Sequence, residues 1–320
     1  MTSQTGQKAG GNAPVLQNDL NVIPFKTRIR PYLIVAPALI TTIGIMIPFI
    51  MAIYYSLTNY SFAQLQPHRF IGLRNWIRMF QAPEFRHAVW VTVRYAFYST
   101  SIELVLGLGV AMLLSNLDNR FSKILRVALI FPLMVAPVIA TIIWQLMLNN
   151  SVGIVEKFLN IFGIYNFPWA ASHSTAMMTA VMIDVWVNCP FVIVLILAGI
   201  QSLPKSPFES AKIDGGSVWF NFRKLTLPML KPYIYIALLF RLMASLQEFS
   251  IIFALTKGGP GDTLMNLSIR AYTTGFQFNR FGAALPYILF LWVVIFILAK
   301  QIVKRWQTSI KQATGRLVEE

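Results

Sequence analysis

Asp184, Asn188 and Phe191 stand at i, i+4 and i+7, and Arg241, Ser245 and Glu248 repeat that spacing. On a helix each trio shares one face. All six positions fall inside runs apolar enough to span a bilayer, where a charged side chain costs on the order of 2.5–3.5 kcal/mol and normally turns toward a cavity or a partner. Carboxylates, an amide and a hydroxyl can exchange hydrogen bonds with a polyhydroxylated solute, and an aromatic ring can stack on the C–H face of a sugar. The same groups can instead hold helices together, with Arg241 paired to Asp184 or Glu248. Because the two runs cross in opposite directions, counting from their outer ends sets Asp184 near the level of Glu248 and Asn188 near that of Arg241. Trp144 and Gln145 can join from a third run, although a tryptophan close to a span end also suits the interfacial belt. Glu103 lies mid-run beside Gly107 and Gly109, where close helix packing is expected. Its partner is not readable from spacing, and it is assigned to structure. Arg94, near a span end, can reach the interface.

The elements that must position these groups follow from composition. The 320 residues are 56% hydrophobic and only 12% charged, with mean hydropathy +0.60, too apolar for an ordinary soluble domain. Crossing about 30 Å of hydrocarbon takes roughly 20 helical residues. Six runs meet that length, near 32–57, 89–114, 127–148, 174–201, 232–256 and 281–299. An all-α integral membrane protein is expected, with a cytoplasmic tail over 1–31, a loop over 202–231 and a second tail over 300–320.

The net charge of +15 must be read by placement. With the N-terminus in the cytoplasm, 17 of the 27 Lys and Arg fall on that side and 8 on the other, while Arg94 and Arg241 lie within spans. This positive-inside bias sets the orientation and turns the 202–231 loop toward the cytoplasm. Basicity therefore points to anionic lipid rather than nucleic acid. Cys189 is the only cysteine, mid-span, so a disulfide or cysteine metal site is not expected. His68, His87 and His173 are placed in separate outer loops without carboxylates beside them, which argues against a metal site. Residues 1–31 lack the short apolar core of a signal peptide, and Lys26, Arg28 and Arg30 are expected to anchor the first span at the headgroups.

Between the first two runs, Phe70, Leu73, Trp76, Ile77 and Phe80 recur at near-helical intervals with Arg69, Arg74 and Arg78 between them, which suggests an amphipathic helix on the outer face. It either seals the bundle or docks an external partner. Prolines 37, 48, 132, 137, 190 and 286 fall inside the runs, where each frees a carbonyl and can kink its helix.

The loop over 206–228, SPFESAKIDGGSVWFNFRKLTLP, is polar and charged between two apolar runs. Ser206 and Glu209 with Pro207 read as a capping box opening a short helix. Asp214-Gly215-Gly216 should end that helix, and Ser217 can cap a second one carrying Trp219, Phe222 and Leu225 before Pro228. A small helix-turn-helix knob in water is expected.

This loop resembles the "EAA" coupling loop of permease subunits in binding-protein-dependent ABC importers. Glu209, Ala211, Asp214, Gly215, Phe222 and Pro228 match the family pattern in spacing, while Ser210 and Gly216 replace two usual alanines. The stretch LTKGGPGDT over 255–263, with Tyr272 and then FGAALPY from Phe281, resembles the carbohydrate-uptake branch and its maltose-permease-like subunits. The resemblance implies a six-transmembrane-helix permease of type I importer fold in the bacterial inner membrane. It implies a second permease chain, more often different than a copy, two ATP-binding subunits and an extracytoplasmic solute-binding protein, for which the loop between the first two runs and those over 149–173 and 257–280 are candidate contacts. In that machine Glu209 gives contacts or capping at the base of the knob, Ala211 belongs to the same helix, Asp214 and Gly215 make the turn, and Trp219 and Phe222 anchor it, with Pro228 closing the motif. The chain has no Gly-x-x-x-x-Gly-Lys-Ser/Thr loop; no catalytic role or cofactor is expected in it, and ATP and Mg would be bound by the partner subunits. A sugar or related polyhydroxylated solute is the expected cargo, with an anionic solute such as glycerol phosphate or an acidic sugar as the alternative. An ion-coupled secondary transporter would favour inverted repeats, which are not apparent. A membrane enzyme would need clustered carboxylates or metal ligands, which the scattered histidines do not supply.

Overall fold

The computed structural model describes residues 25–63, 67–117 and 119–315. The greater part of the expected N-terminal tail, residues 1–24, lies outside them, as do residues 316–320 and the side chains of Lys26, Arg28 and Arg30. Among the described residues the regular structure is helical, with one isolated antiparallel bridge between Thr58 and Phe70.

The chain divides after Met51 into two compact units. The first holds most of α1 (Phe25–Ser56), whose stretch Ile34–Ser56 has hydropathy 2.2 and exposed apolar side chains all round. Such a helix belongs in lipid or against another apolar surface. The second unit holds α2 (Arg74–Gln81), α3 (Pro83–Ser115), α4 (Asn119–Ile130), α5 (Pro137–Met147), α6 (Ile154–Ile161) and α7 (Ala176–Gln201). It continues with α8 (Ser206–Ile213), α9 (Val218–Asn221), α10 (Leu227–Leu246), α11 (Ser250–Thr256), α12 (Leu267–Tyr272) and α13 (Phe281–Gly315).

Among the described residues, five helical stretches are long and apolar enough to cross a membrane: Ile34–Ser56, Pro83–Ser115, Ala176–Gln201, Val218–Leu246 and Phe281–Lys311. The remaining expected crossing, near 127–148, is broken: Ile124–Met134 and Pro137–Met147 meet at 100°. The cause is local. Phe131–Met134 tightens to a 3₁₀ turn containing Pro132, Val135 and Ala136 are extended (ψ 128° and 135°), and Pro137 opens α5. Pro137 drives Ala136 out of the helical region, and Pro132 removes an N–H from the turn before it, so the chain makes a corner between α4 and α5.

Two other expected spans differ in extent. The run over 232–256 stops being one helix at Leu246, turns through Gln247 to Phe249, and resumes as α11. The last helix runs on through the expected tail to Gly315, 35 residues or about 52 Å at 1.5 Å per residue, well beyond the hydrocarbon thickness. His87, expected in a loop, lies in α3 and contacts the Asp262 carbonyl through Nε2 at 2.8 Å.

The amphipathic segment expected on the outer face is helical only from Arg74; Phe70 pairs with Thr58 and Leu73 is the N-cap. Phe70, Leu73, Ile77 and Phe80 are exposed, while the Trp76 indole donates to Ser56 Oγ at 3.3 Å. Sequence spacing gave no hint of Asn75, whose buried amide donates to the carbonyls of Ser56, Thr58 and Gly282 at 2.9, 2.8 and 3.1 Å.

The centre of the second unit is the long pairing of α3 with α7, closed on a third side by α10, against which α13 packs. Gly107 sets the closeness of the pairing: a Cβ there would lie 2.5 Å from Val192 Cγ1 and 2.9 Å from its Cβ, whereas Gly109 has nothing within 4 Å. Gly107→Ala is therefore expected to destabilise the assembled protein by about 1–3 kcal/mol, read as a lower thermal midpoint in detergent. Gly109→Ala should leave that midpoint unchanged or raised. Equal midpoints for Gly107→Ala and the parent would show that the α3–α7 contact yields freely.

Candidate functional site

At the heart of the α3–α7–α10 packing the charged groups found in the spans meet one another. Arg241 donates to Glu103 through both Nε (2.5 Å) and Nη2 (2.8 Å), and through Nη2 to Asp184 Oδ1 at 3.2 Å. Glu103, Asp184 and Arg241 are 0%, 0% and 5% exposed. Ser245 Oγ, one helical turn along, accepts from Arg241 Nη2 at 3.3 Å, from Ser99 at 3.1 Å and from Thr100 at 3.4 Å. Asn188 Nδ2 donates to Asp184 Oδ1 at 2.7 Å. One guanidinium thus ties together carboxylates from two other helices, with hydroxyls and an amide completing the shell. The bidentate fork is the geometry in which arginine binds carboxylate most strongly. Asp184 Oδ2 and the hydroxyl of fully buried Tyr95 have no hydrogen-bond partner among the described residues.

The structure therefore corrects the expected arrangement in three ways. Glu103 is the principal partner of Arg241, a pairing that spacing alone did not show. Asp184 lies level with Arg241, to which it is hydrogen-bonded, and not with Glu248, seven residues further along the chain. Glu248 does not continue the Arg241–Ser245 face: the helix breaks before it, its Oε1 accepts from the Ile251 amide at 2.7 Å at the start of α11, and its carbonyl accepts from Asn266 Nδ2 at 2.5 Å. Gln145, from the broken third crossing, donates to the carbonyls of Leu255 at 2.8 Å and Ala254 at 3.2 Å, satisfying the end of α11. Trp144 packs edge-on against Trp186. Asp184, Arg241 and Ser245 thus serve one another inside the chain. Asn188 and Phe191 are half-buried, and Phe191 meets exposed Phe240 edge to face at 6.0 Å.

The loop between α7 and α10 is built to a fixed geometry. The expected capping box does not form: α8 begins at Ser206 with Lys205 as N-cap and no side-chain cap, because Lys205 is already helical and its carbonyl accepts from Phe208 and Glu209 at 3.0 Å each. Pro207 occupies the first turn, where its missing N–H is harmless. The helix ends in a Schellman turn. Gly215 sits at φ +73°, Gly215 N–H reaches the Lys212 carbonyl at 3.3 Å and Gly216 N–H the Ala211 carbonyl at 2.8 Å. A Cβ on Gly216 would come within 2.8 Å of the Ala211 carbonyl oxygen, so this loop needs glycine where the family pattern has alanine.

Ser217 caps α9, accepting from the Phe220 amide at 3.2 Å. The second helix is not a separate knob. Phe222–Thr226 is a π-helical turn that carries α9 straight into α10, so Val218–Leu246 is one continuous rod. The widened turn accommodates Pro228, which would otherwise clash with the carbonyl four residues back. The loop leaves Ile213, Val218 (87%) and Trp219 (67%) exposed, with Trp219 and Phe222 ring centroids 5.5 Å apart. Ile213 and Val218 were not singled out from sequence; their positions flanking the Asp214-Gly215-Gly216 turn were the available signal. Among the described residues no group of three or more His, Cys, Asp or Glu is placed to hold a metal ion.

Residues 103–306 match the family described as binding-protein-dependent transport system inner membrane component. The chain is 34% identical over 270 residues to the trehalose/maltose transport system permease protein MalF of Thermococcus litoralis, covering 83% of this chain and 90% of that protein. It is 32% identical over 266 residues to the sulfoquinovosyl glycerol transport system permease protein SmoG of Agrobacterium fabrum, covering 82% and 86%. In fold it superposes with TM-score 0.74 on a chain of a bacterial alginate ABC transporter in complex with an alginate pentasaccharide-bound periplasmic protein, at 22% identity over 87% of this chain and 95% of that one. With its apolar helices and the loop that joins two of them, this chain belongs to the binding-protein-dependent transport system inner membrane components, the permease subunits of ABC importers, and is an all-α integral membrane protein of type I importer fold.

Proposed function

We propose that the chain forms, with a second permease chain, the membrane path for a sugar or related polyhydroxylated solute delivered by a solute-binding protein outside the cell. Two ATP-binding subunits supply the energy, and ATP and Mg are bound there. Both termini and the α8–α9 loop face the cytoplasm, in keeping with the distribution of Lys and Arg. The observation that carries the reading is the loop itself: exposed Ile213, Val218 and Trp219 stand on a turn fixed by hydrogen bonds and joined rigidly to a membrane-crossing rod. Apolar side chains held out in this way suit a cleft on an ATP-binding subunit, and Glu209, Ala211, Asp214, Gly215, Phe222 and Pro228 give the loop its shape.

The names of the relatives support a sugar-like cargo, and two of them keep an anionic one in play. Asn188 and Phe191 are the groups best placed to touch it. Asp184 and Arg241 then act behind them: Asp184 takes an Asn188 N–H and leaves the amide oxygen to accept from a solute hydroxyl. Ser245 belongs to that supporting set, and Glu248 holds the turn into α11.

The test is uptake by the complete transporter in proteoliposomes loaded with ATP. Uptake of a disaccharide or a polyol ester is expected to require ATP and the binding protein and to survive collapse of the proton gradient; the reverse pattern would make the chain an ion-coupled carrier. Asn188→Ala should lower transport about tenfold, the worth of one hydrogen bond of about 1.4 kcal/mol, while the affinity of the isolated binding protein stays unchanged.

A further inference from the structure

At the end of the bundle that carries α8 and α9, the first turns of α10 and the last turns of α13 enclose a recess of about 560 Å³. Lys231 and Tyr235 line it from α10, and Gln301, Lys304, Arg305, Thr308 and Ser309 from α13. Lys231 and Tyr235 stand one turn apart, and Lys304, Arg305 and Thr308 follow at i, i+1 and i+4, so two helices turn their cationic faces toward one space. No carboxylate lines it, and none of the ion pairs found among the described residues involves Lys231, Lys304 or Arg305. All three cations are exposed. Thr308 and Ser309 spend their hydroxyl protons on the carbonyls of Lys304 (3.0 Å) and Trp306 (2.7 Å), so the donors left for a ligand are the three cations, the Gln301 amide and the Tyr235 hydroxyl. Three positive groups and a phenol, held together without a counter-charge, describe a receptor for a phosphate ester.

Depth decides which phosphate. The apolar part of α13, residues 281–299, is 19 residues long or about 28 Å at 1.5 Å per residue, close to the hydrocarbon thickness of about 30 Å. Lys304 and Arg305 therefore begin where the headgroups lie, and Lys231 meets them from the neighbouring helix. A dissolved anion has no preference for that plane, whereas the phosphate of a lipid is always there. We infer that this recess is a binding site for the phosphate headgroup of an anionic membrane phospholipid, wedged between α10 and α13 at the base of the loop. The inference rests on the membrane-spanning fold and not on the choice of solute. A headgroup bridging Lys231 to Lys304 and Arg305 would also brace the rod that runs from the loop into the membrane.

The experiment uses the complete transporter released from nanodiscs of phosphatidylcholine containing dioleoylphosphatidylglycerol, read by native mass spectrometry. Wild type should retain phosphatidylglycerol at least about tenfold over phosphatidylcholine, since each cation near the surface adds about fivefold. The variant Lys231→Gln/Lys304→Gln/Arg305→Gln should lose that selectivity, and Lys157→Gln in α6 should keep it. Excess inorganic phosphate should not displace the lipid. Equal retention of the two lipids by wild type, displacement by inorganic phosphate, or selectivity unchanged in the triple variant each overturns the inference. So does a triple variant that keeps its lipid but sheds the ATP-binding subunits, because the recess would then be a protein interface. Should the triple variant not assemble, the wild-type selectivity and the phosphate competition still decide the matter.

Discussion

Arg241→Met is expected to remove most of the chain from the membrane fraction. Glu103 and Asp184 are fully buried and face one guanidinium, so the variant leaves two carboxylates in the interior of a membrane protein with no counter-charge. Breaking a buried pair from one side costs about 3–5 kcal/mol, mostly the desolvation of the charge left behind. That is a large fraction of the whole stability of a domain. Removing the polar set together is a different change: Glu103→Leu/Asp184→Asn/Arg241→Met leaves no charge in this network and should recover much of the lost accumulation, as exchanging a buried ionic set for apolar groups is often neutral. The measurement is the amount of chain in membranes and the thermal midpoint of the purified transporter. If Arg241→Met accumulates like wild type and loses only uptake, the guanidinium reaches the solute and the internal network is not its main task. A triple variant no better than the single one would show that the charges matter for more than one another.

That network shows what the sequence could and could not disclose. Periodicity put Asp184 and Asn188 on one face of α7 and Arg241 and Ser245 on one face of α10, and both pairs lie together in the structure. Spacing along one helix fixes a face, not the neighbour opposite, so the pairing of Arg241 with Glu103 on α3 was out of reach. Charge balance was the missed clue: Arg241 is the one cation deep in the spans, and mid-span Glu103 needed a partner. Glu248 misled for another reason. A hydropathy run averages over a bend, and the apolar residues on either side of Gln247 and Glu248 hide the turn that hands the Glu248 carboxylate to the Ile251 amide. The corner between α4 and α5 was hidden in the same way, although Pro132 and Pro137 announced it. The Schellman turn was legible because only glycine enters the left-handed region freely at Gly215. The π-helical turn was not, since Phe222–Thr226 carries no residue that distinguishes i+5 from i+4 bonding.

Gly215→Val is expected to abolish coupled uptake while leaving the chain inserted and assembled. Gly215 has φ +73°, and a Cβ built on it meets nothing within 4 Å. The penalty is therefore not a clash with neighbours but the backbone conformation itself, about 1–3 kcal/mol for a β-branched residue held there. The turn can relieve it only by giving up the bonds from Gly215 to Lys212 and from Gly216 to Ala211 that close α8, which changes the angle between α8 and α9. Because α9 continues through the π-helical turn into α10, under the proposed function a change of angle there would decide whether motion of an ATP-binding subunit is passed to the membrane rod. The interior of the bundle is untouched, so insertion and subunit association should persist, ATP hydrolysis should continue, and solute uptake per ATP should fall by at least about tenfold. Gly215→Asn is the matched comparison, because asparagine enters the left-handed region at little cost, and it should restore most of the uptake. Undiminished uptake with valine would mean that the turn angle is not what transmits the force; an asparagine variant as damaged as the valine one would point to a contact with the glycine itself in place of its backbone geometry.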